Sequence, residues 1–207
     1  NYDKFGSSIY MDGDYVVVGS TGGAPYYPVA GQTGMGSVYI YKKDKGGTNN
    51  WGQLQKLTAS DATGSGYSTS QNNDEFGFCV SKSGDYIIVG TKNSNTSYIF
   101  KKGTDENGDE TWTELKILDP SGATYKTDMF VAMDSDYSVI GCRNDSNMEG
   151  SIFIFKKDEG GTDNWGQLKK ITASDKSNYD KFGYSLSIEG DYLIVSSPQD
   201  DDNGGNS

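Results

Sequence analysis

Apolar residues along this chain fall into short runs separated by Gly/Asp turns, and the runs recur in one fixed order. The first run alternates, as in Ser7-Ser8-Ile9-Tyr10. A tight turn follows at Asp12-Gly13-Asp14, with counterparts at Ser83-Gly84-Asp85, Asp134-Ser135-Asp136 and Glu189-Gly190-Asp191. Gly and Asp accept the positive φ that a short hairpin needs. The second run is almost wholly apolar: Tyr15–Gly19, Tyr86–Gly90, Tyr137–Gly141 and Tyr192–Ser196. Such a β-branched run predicts a strand buried on both faces. The third run mixes aliphatic and aromatic residues over Ser37–Tyr41, Ser97–Phe100 and Ser151–Phe155, and each copy ends in Lys-Lys. The fourth follows a Gly-rich loop and opens at a Trp, over Trp51–Leu57, Trp112–Ile117 and Trp165–Ile171. Its apolar and polar positions alternate, as in an outer strand with one wet face. No segment carries a capped 3.6-residue period, so essentially no helix is predicted.

Four segments align as one repeat: Asp3–Tyr15, Asp74–Tyr86, Tyr125–Tyr137 and Asp180–Tyr192. Their closing tyrosines are about 71, 51 and 55 residues apart, a spacing that suits propeller blades. The predicted fold class is all-β, a β-propeller of four-stranded antiparallel blades. The predicted division is 1–72 for blade 1, 73–124 for blade 2, 125–179 for blade 3 and 180–207 for the first half of blade 4. Closed propellers use about four to eight blades. Some three and a half blades therefore read as part of a longer propeller. Two chains sharing one blade, or a head-to-tail filament through open strand edges, are the alternatives.

The Phe5-Gly6, Phe76-Gly77 and Phe182-Gly183 pairs, the apolar run ending in Gly or Ser, and the Gly-Ser before the third strand resemble FG-GAP repeats. Gly46–Asp61 and Gly160–Asp175 are similar to the secreted microbial form of that repeat. The third repeat departs from the pattern, with Thr127-Asp128 in place of Phe-Gly. The resemblance implies an extracellular or cell-surface module acting in adhesion or as a structural subunit. It would bind a protein or glycan ligand, or copies of itself. The calcium loops that some integrin blades carry are not transferable, because the turns here are too short for a cage of oxygens.

Composition narrows the chemistry. The net charge of −11, with Lys and Arg never clustered beyond Lys-Lys pairs, lacks the basic footprint that nucleic acid requires. No run approaches the roughly 20 apolar residues of a membrane helix. The chain has no His, which removes the commonest general base and transition-metal ligand. No nucleophile elbow occurs, and the acidic pairs recur in every repeat, whereas an active site occurs once. No catalytic residue is assigned. A carbohydrate-active hydrolytic propeller built on carboxylates and a calcium-dependent lectin-like module are the rival classes.

Several residues stand out as site candidates. Asp200, Asp201, Asp202 and Asn203 are the best oxygen cluster for a hard cation such as Ca²⁺; no other cofactor is expected. Tyr26, Tyr27 and Pro28 sit in a long loop with good contact chemistry. Asn95 and Asn144 open glycosylation tripeptides. Cys79 and Cys142 are either buried thiols or one disulfide. Trp51, Trp112 and Trp165 recur once per repeat, as structural packing residues.

Overall fold

The computed structural model of the chain describes residues 3–22, 35–61 and 74–201. The predicted strands are present in the predicted order. Sheet one is β1 (Phe5–Asp12), β2 (Tyr15–Ser20), β3 (Ser37–Lys43) and β4 (Trp51–Leu57). Sheet two is β5 (Cys79–Ser83), β6 (Tyr86–Gly90), β7 (Ser97–Thr104) and β8 (Glu110–Leu118). Sheet three is β9 (Met129–Asp134), β10 (Tyr137–Cys142), β11 (Ser151–Lys156) and β12 (Gly166–Ile171). A last sheet holds only β13 (Leu186–Glu189) and β14 (Tyr192–Val195). Every sheet is an antiparallel meander in chain order. The first strands of successive sheets pack on one another, β1 on β5, β5 on β9 and β9 on β13, while β4 and β8 barely meet. That splay is the geometry of blades around an axis, and the architecture is a partial propeller of three full blades and a half.

The core is divided between the blade interfaces. Val17, Val38, Ile40 and Leu57 of the first blade pack against Phe76, Val80, Ile87, Phe100 and Trp112 of the second. Ile88, Ile99 and Leu118 of the second pack against Val131, Ile140, Phe153, Phe155 and Trp165 of the third. The second strand of the middle blade, β6, is thus covered on both faces, with Ile87 and Val89 in one cluster and Ile88 in the other, which is why it has no polar alternation. Fully burying one such side chain is worth about 1.5–3 kcal/mol.

Glycines mark where blades touch backbone to backbone. A Cβ on Gly19, Gly90 or Gly141 would lie well inside contact distance of the carbonyl oxygen of Gly77, Met129 or Gly183 in the next blade. The glycine before the third strand has a separate cause. Gly36 runs parallel to Phe76 and Gly150 to Phe182, in single bridges to the next blade's Phe-Gly. Between blades two and three, where Phe-Gly is missing, Thr96 takes the place of that glycine.

One sequence expectation is refined and another holds. The register pairs Phe5 with Ser20 and Ser8 with Gly19 across a bulge, but Met129 with Cys142 and Phe130 with Gly141 without one. Met129 therefore pairs as Phe5 does, while its carbonyl meets Gly90 as those of Gly77 and Gly183 meet Gly19 and Gly141, and the third repeat lacks the two bulge residues. Among the described residues, the only helical segment is Asp145–Met148, and Ser146 and Asn147 there have φ of 52° and 59°. It is a left-handed turn and no true helix.

Candidate functional site

One contact unit recurs at the blade interfaces. The tyrosine opening the second strand meets the tryptophan of the next blade edge-on: Tyr15 with Trp112 at 5.9 Å between ring centroids, and Tyr86 with Trp165 at 5.3 Å. Above each tyrosine lies a lysine of the third strand, because the register sets Tyr15 opposite Lys42, Tyr86 opposite Lys101 and Tyr137 opposite Lys156. The lysine then reaches an acid of the following blade. Lys42 pairs with Glu110 at 2.5 Å and Lys101 with Asp163 at 2.5 Å. The Lys101 ammonium, with the Tyr86 hydroxyl donating at 2.6 Å, holds the Asp163 carboxyl below its ordinary range. For Glu110, burial pushes the carboxyl up, but Lys42 and Tyr15 outweigh it and the net shift is downward.

The two ends of the blade row expose the halves of this interface. Ile194 is 72% exposed, whereas its counterparts Val17, Ile88 and Val139 are 0%. Tyr192, the counterpart of Tyr15 and Tyr86, is exposed beside it, and with Ser187, Glu189 and Asp191 they line a shallow open concavity. At the other end Ile9 is 64% exposed against 5% for Val80. Phe5 and Met11 are exposed with it, and Phe5 packs edge-on against Tyr39 at 5.4 Å, as Phe76 does against Tyr98 at 5.3 Å. Trp51 is 38% exposed, against 1% for Trp112 and Trp165. The reading of all three tryptophans as packing residues thus holds for two, since no earlier blade covers Trp51 among the described residues.

A second feature is an aromatic row across three blades, Phe78, Phe130 and Tyr184, with centroid spacings of 5.1 and 5.3 Å. The Arg143 guanidinium lies 4.7 Å from the Tyr184 ring centroid. Asp128 fixes it, accepting from Arg143 Nη2 and from Asn144 Nδ2, each at 2.8 Å. The sequence reading missed this row. Its signal was an aromatic residue directly after Phe-Gly in the second and fourth repeats.

The remaining candidates are scattered. Tyr26, Tyr27, Pro28, Asp202 and Asn203 lie outside the described residues. Asp201 is exposed, and the Asp200 amide donates to the Ser197 carbonyl. Among the described residues no three His, Cys, Asp or Glu side chains converge on a point. Asp145, in the third-blade counterpart of the acidic loop, is buried in an ion pair with Lys170 at 2.7 Å and accepts from Ser151 Oγ and the Thr124 amide. Its carboxylate serves the fold. Asn95 is exposed in the connection between β6 and β7. Cys79 and Cys142 form no bridge and are both free thiols. Cys79 Sγ instead contacts the Val131 carbonyl across the second interface, and Cys142 lies in the hydrophobic core.

The comparisons agree with this geometry. A model of the FG-GAP repeat matches residues 1–41, 51–108 and 165–207. The longer of the two unmatched stretches, between residues 108 and 165, contains β9, where the Phe-Gly bulge is missing. No curated protein matches the chain.

Proposed function

The chain belongs to the FG-GAP repeat family, and from that premise we propose that it is a non-catalytic, extracellular or cell-surface propeller module that serves as a structural subunit of a surface assembly. FG-GAP propellers are in general binding modules, which is why the non-catalytic reading is preferred. The observation that carries the assembly role is the pair of open blade faces. Residues that are buried at every internal interface stand exposed at both ends of the row, and the two faces are the two halves of one repeated contact. Exposed apolar surface of this kind calls for a cover, which is either a further blade of a longer propeller or, as proposed here, a second copy. A heterologous contact between copies, end to end, covers both faces at once.

The contact would not reproduce the internal one in full. Ser196 occupies the position of Gly19, Gly90 and Gly141, so its Cβ holds the next subunit's backbone further off. Oxidative cross-linking tests the arrangement. Ile9→Cys and Ile194→Cys chains, mixed and oxidised, should give a covalent dimer of twice the 22.4 kDa chain mass. Cross-links no more frequent than for an exposed control pair would overturn it.

Adhesion to a protein or glycan ligand is the second reading. It is favoured by the Phe78–Phe130–Tyr184 row, whose last ring is partly exposed beside a guanidinium.

A further inference from the structure

We infer that Asn95 is the N-glycan acceptor of this chain and that Asn144, which opens the same kind of tripeptide, carries no glycan. The inference rests on the extracellular reading and adds to it a modification site, with an oligosaccharide as the group it takes.

Two segments have the Asn-x-Ser/Thr pattern of an acceptor, Asn95-Thr96-Ser97 and Asn144-Asp145-Ser146. Sequence does not separate them, since both lie between a second and a third strand. Their side-chain amides differ. An amide group has two N–H donors, and a glycan replaces one of them. Nδ2 forms a bond to C1 of the first sugar, gives up a proton, and displaces the pyrophosphate of a lipid-linked oligosaccharide donor. The folded chain must therefore leave that Nδ2 unengaged, with open space beyond it for a bulky, polar group.

Asn95 meets both conditions. It is exposed in the connection between β6 and β7, and among the described residues nothing bonds its side chain. Its neighbours are tied inward. Thr91 Oγ1 donates to the Thr96 carbonyl at 2.7 Å, and the Ser94 and Thr96 hydroxyls meet at 2.9 Å. The Tyr98 hydroxyl, 3.1 Å from Thr96 Oγ1, donates to Asp61 at 2.7 Å. Lys92 pairs with Glu75 at 3.6 Å. These contacts hold the connection in place and leave the Asn95 amide in solvent. β6 and β7 belong to the middle blade, which has a full blade on each side. The exposure of Asn95 is thus independent of what adjoins the two ends of the row.

Asn144 meets neither condition. Both of its amide hydrogens are in use, since Nδ2 donates to Thr127 Oγ1 at 2.9 Å and to Asp128 Oδ2 at 2.8 Å. The same Asp128 oxygen holds Arg143 through Nε at 3.2 Å and Nη2 at 2.8 Å. The next residue, Asp145, is fully buried in its ion pair with Lys170. A sugar on Asn144 would take a donor from a mostly buried carboxylate, which is costly, and would have to stand where Thr127 and Asp128 are. A glycan on Asn95 has a further consequence. It shields the loop end of the middle blade, so that partners are left the blade faces.

The test uses the full chain secreted from a eukaryotic cell line, whose secretory pathway supplies the lipid-linked donor. Release of the glycan by peptide N-glycosidase in heavy-oxygen water converts the asparagine that bore it to labelled aspartate. Peptide mapping should find the label at Asn95 and none at Asn144. Asn95→Gln, at an exposed position without a partner, should fold as the natural chain does and lose the whole glycan, returning to the 22.4 kDa of the bare chain. Label at Asn144, a folded secreted chain without glycan, or a glycan that survives Asn95→Gln would overturn the inference. The extracellular reading has a separate readout in the chain purified from its natural source. A bare natural chain beside a glycosylated recombinant one would overturn that reading and leave the choice of Asn95 over Asn144 standing.

Discussion

Tyr86 of the second blade meets Trp165 of the third edge-on, with ring centroids 5.3 Å apart. Tyr15 and Trp112 repeat the relationship one interface earlier. The aromatic pair therefore belongs to the joint between blades and not to any one blade. Edge-to-face pairs of this kind add about 0.5–1.5 kcal/mol to their area burial.

The three tryptophans accordingly differ in weight. Trp165→Ala or Trp112→Ala should cost about 3–5 kcal/mol in urea unfolding, the usual loss for a fully buried aromatic. Trp51→Ala, at a half-exposed position, should cost under about 1 kcal/mol. Equal losses at all three would show that Trp51 is covered in solution.

Close backbone approach makes a second prediction. Gly141→Ser places a Cβ against the Gly183 carbonyl and should destabilise the fold by about 1–3 kcal/mol, the range for overpacking. The reverse change, Ser196→Gly, lies at the open end. It should leave the melting temperature unchanged and tighten the proposed self-association, which light scattering reads directly.

Much of this was legible in the sequence, because the signals are local and repeated. The uniformly apolar second run announced a strand between two neighbours, and the Gly/Asp turns set hairpin register. The third repeat was less legible, since Thr127-Asp128 fall opposite Phe-Gly by count, and only strand pairing shows that Met129 pairs as Phe5 does without the bulge. The fate of Trp51 was hidden for a different reason. Its type and spacing match Trp112, and exposure follows from which blade stands beside it. The Phe78–Phe130–Tyr184 row is likewise a relation between blades, invisible to any single repeat.

The cysteines offer a chemical check. Burial, with Asp145 nearby, pushes the Cys142 thiol up to about 12. Burial also raises Cys79. Thiolate is the reactive form, so a thiol reagent at pH 8 should react slowly with the native chain and titrate both cysteines in denaturant. A denatured chain with no titratable thiol would restore the disulfide.

Asp145 gives the fold a defined acid sensitivity. Burial would raise its carboxyl, but hydrogen bonds from Lys170, Ser151 and the Thr124 amide outweigh that and lower it. A carboxyl lowered in the folded state stabilises above its unfolded value, near pH 4, and loses that contribution as pH falls through the folded value. Asp145→Asn should therefore be less stable than the natural chain by about 3 kcal/mol at pH 7. The gap should narrow steadily below about pH 4. A gap independent of pH would mean that the charge is not what matters.

The end-to-end contact is the central proposal, and sedimentation velocity over a wide concentration range tests it most directly. The account predicts a mass that rises with concentration above the 22.4 kDa of one chain, and a fall back to that value when Ile9→Asp and Ile194→Asp are introduced together. A single-chain mass at every concentration, unchanged by the two substitutions, would contradict it.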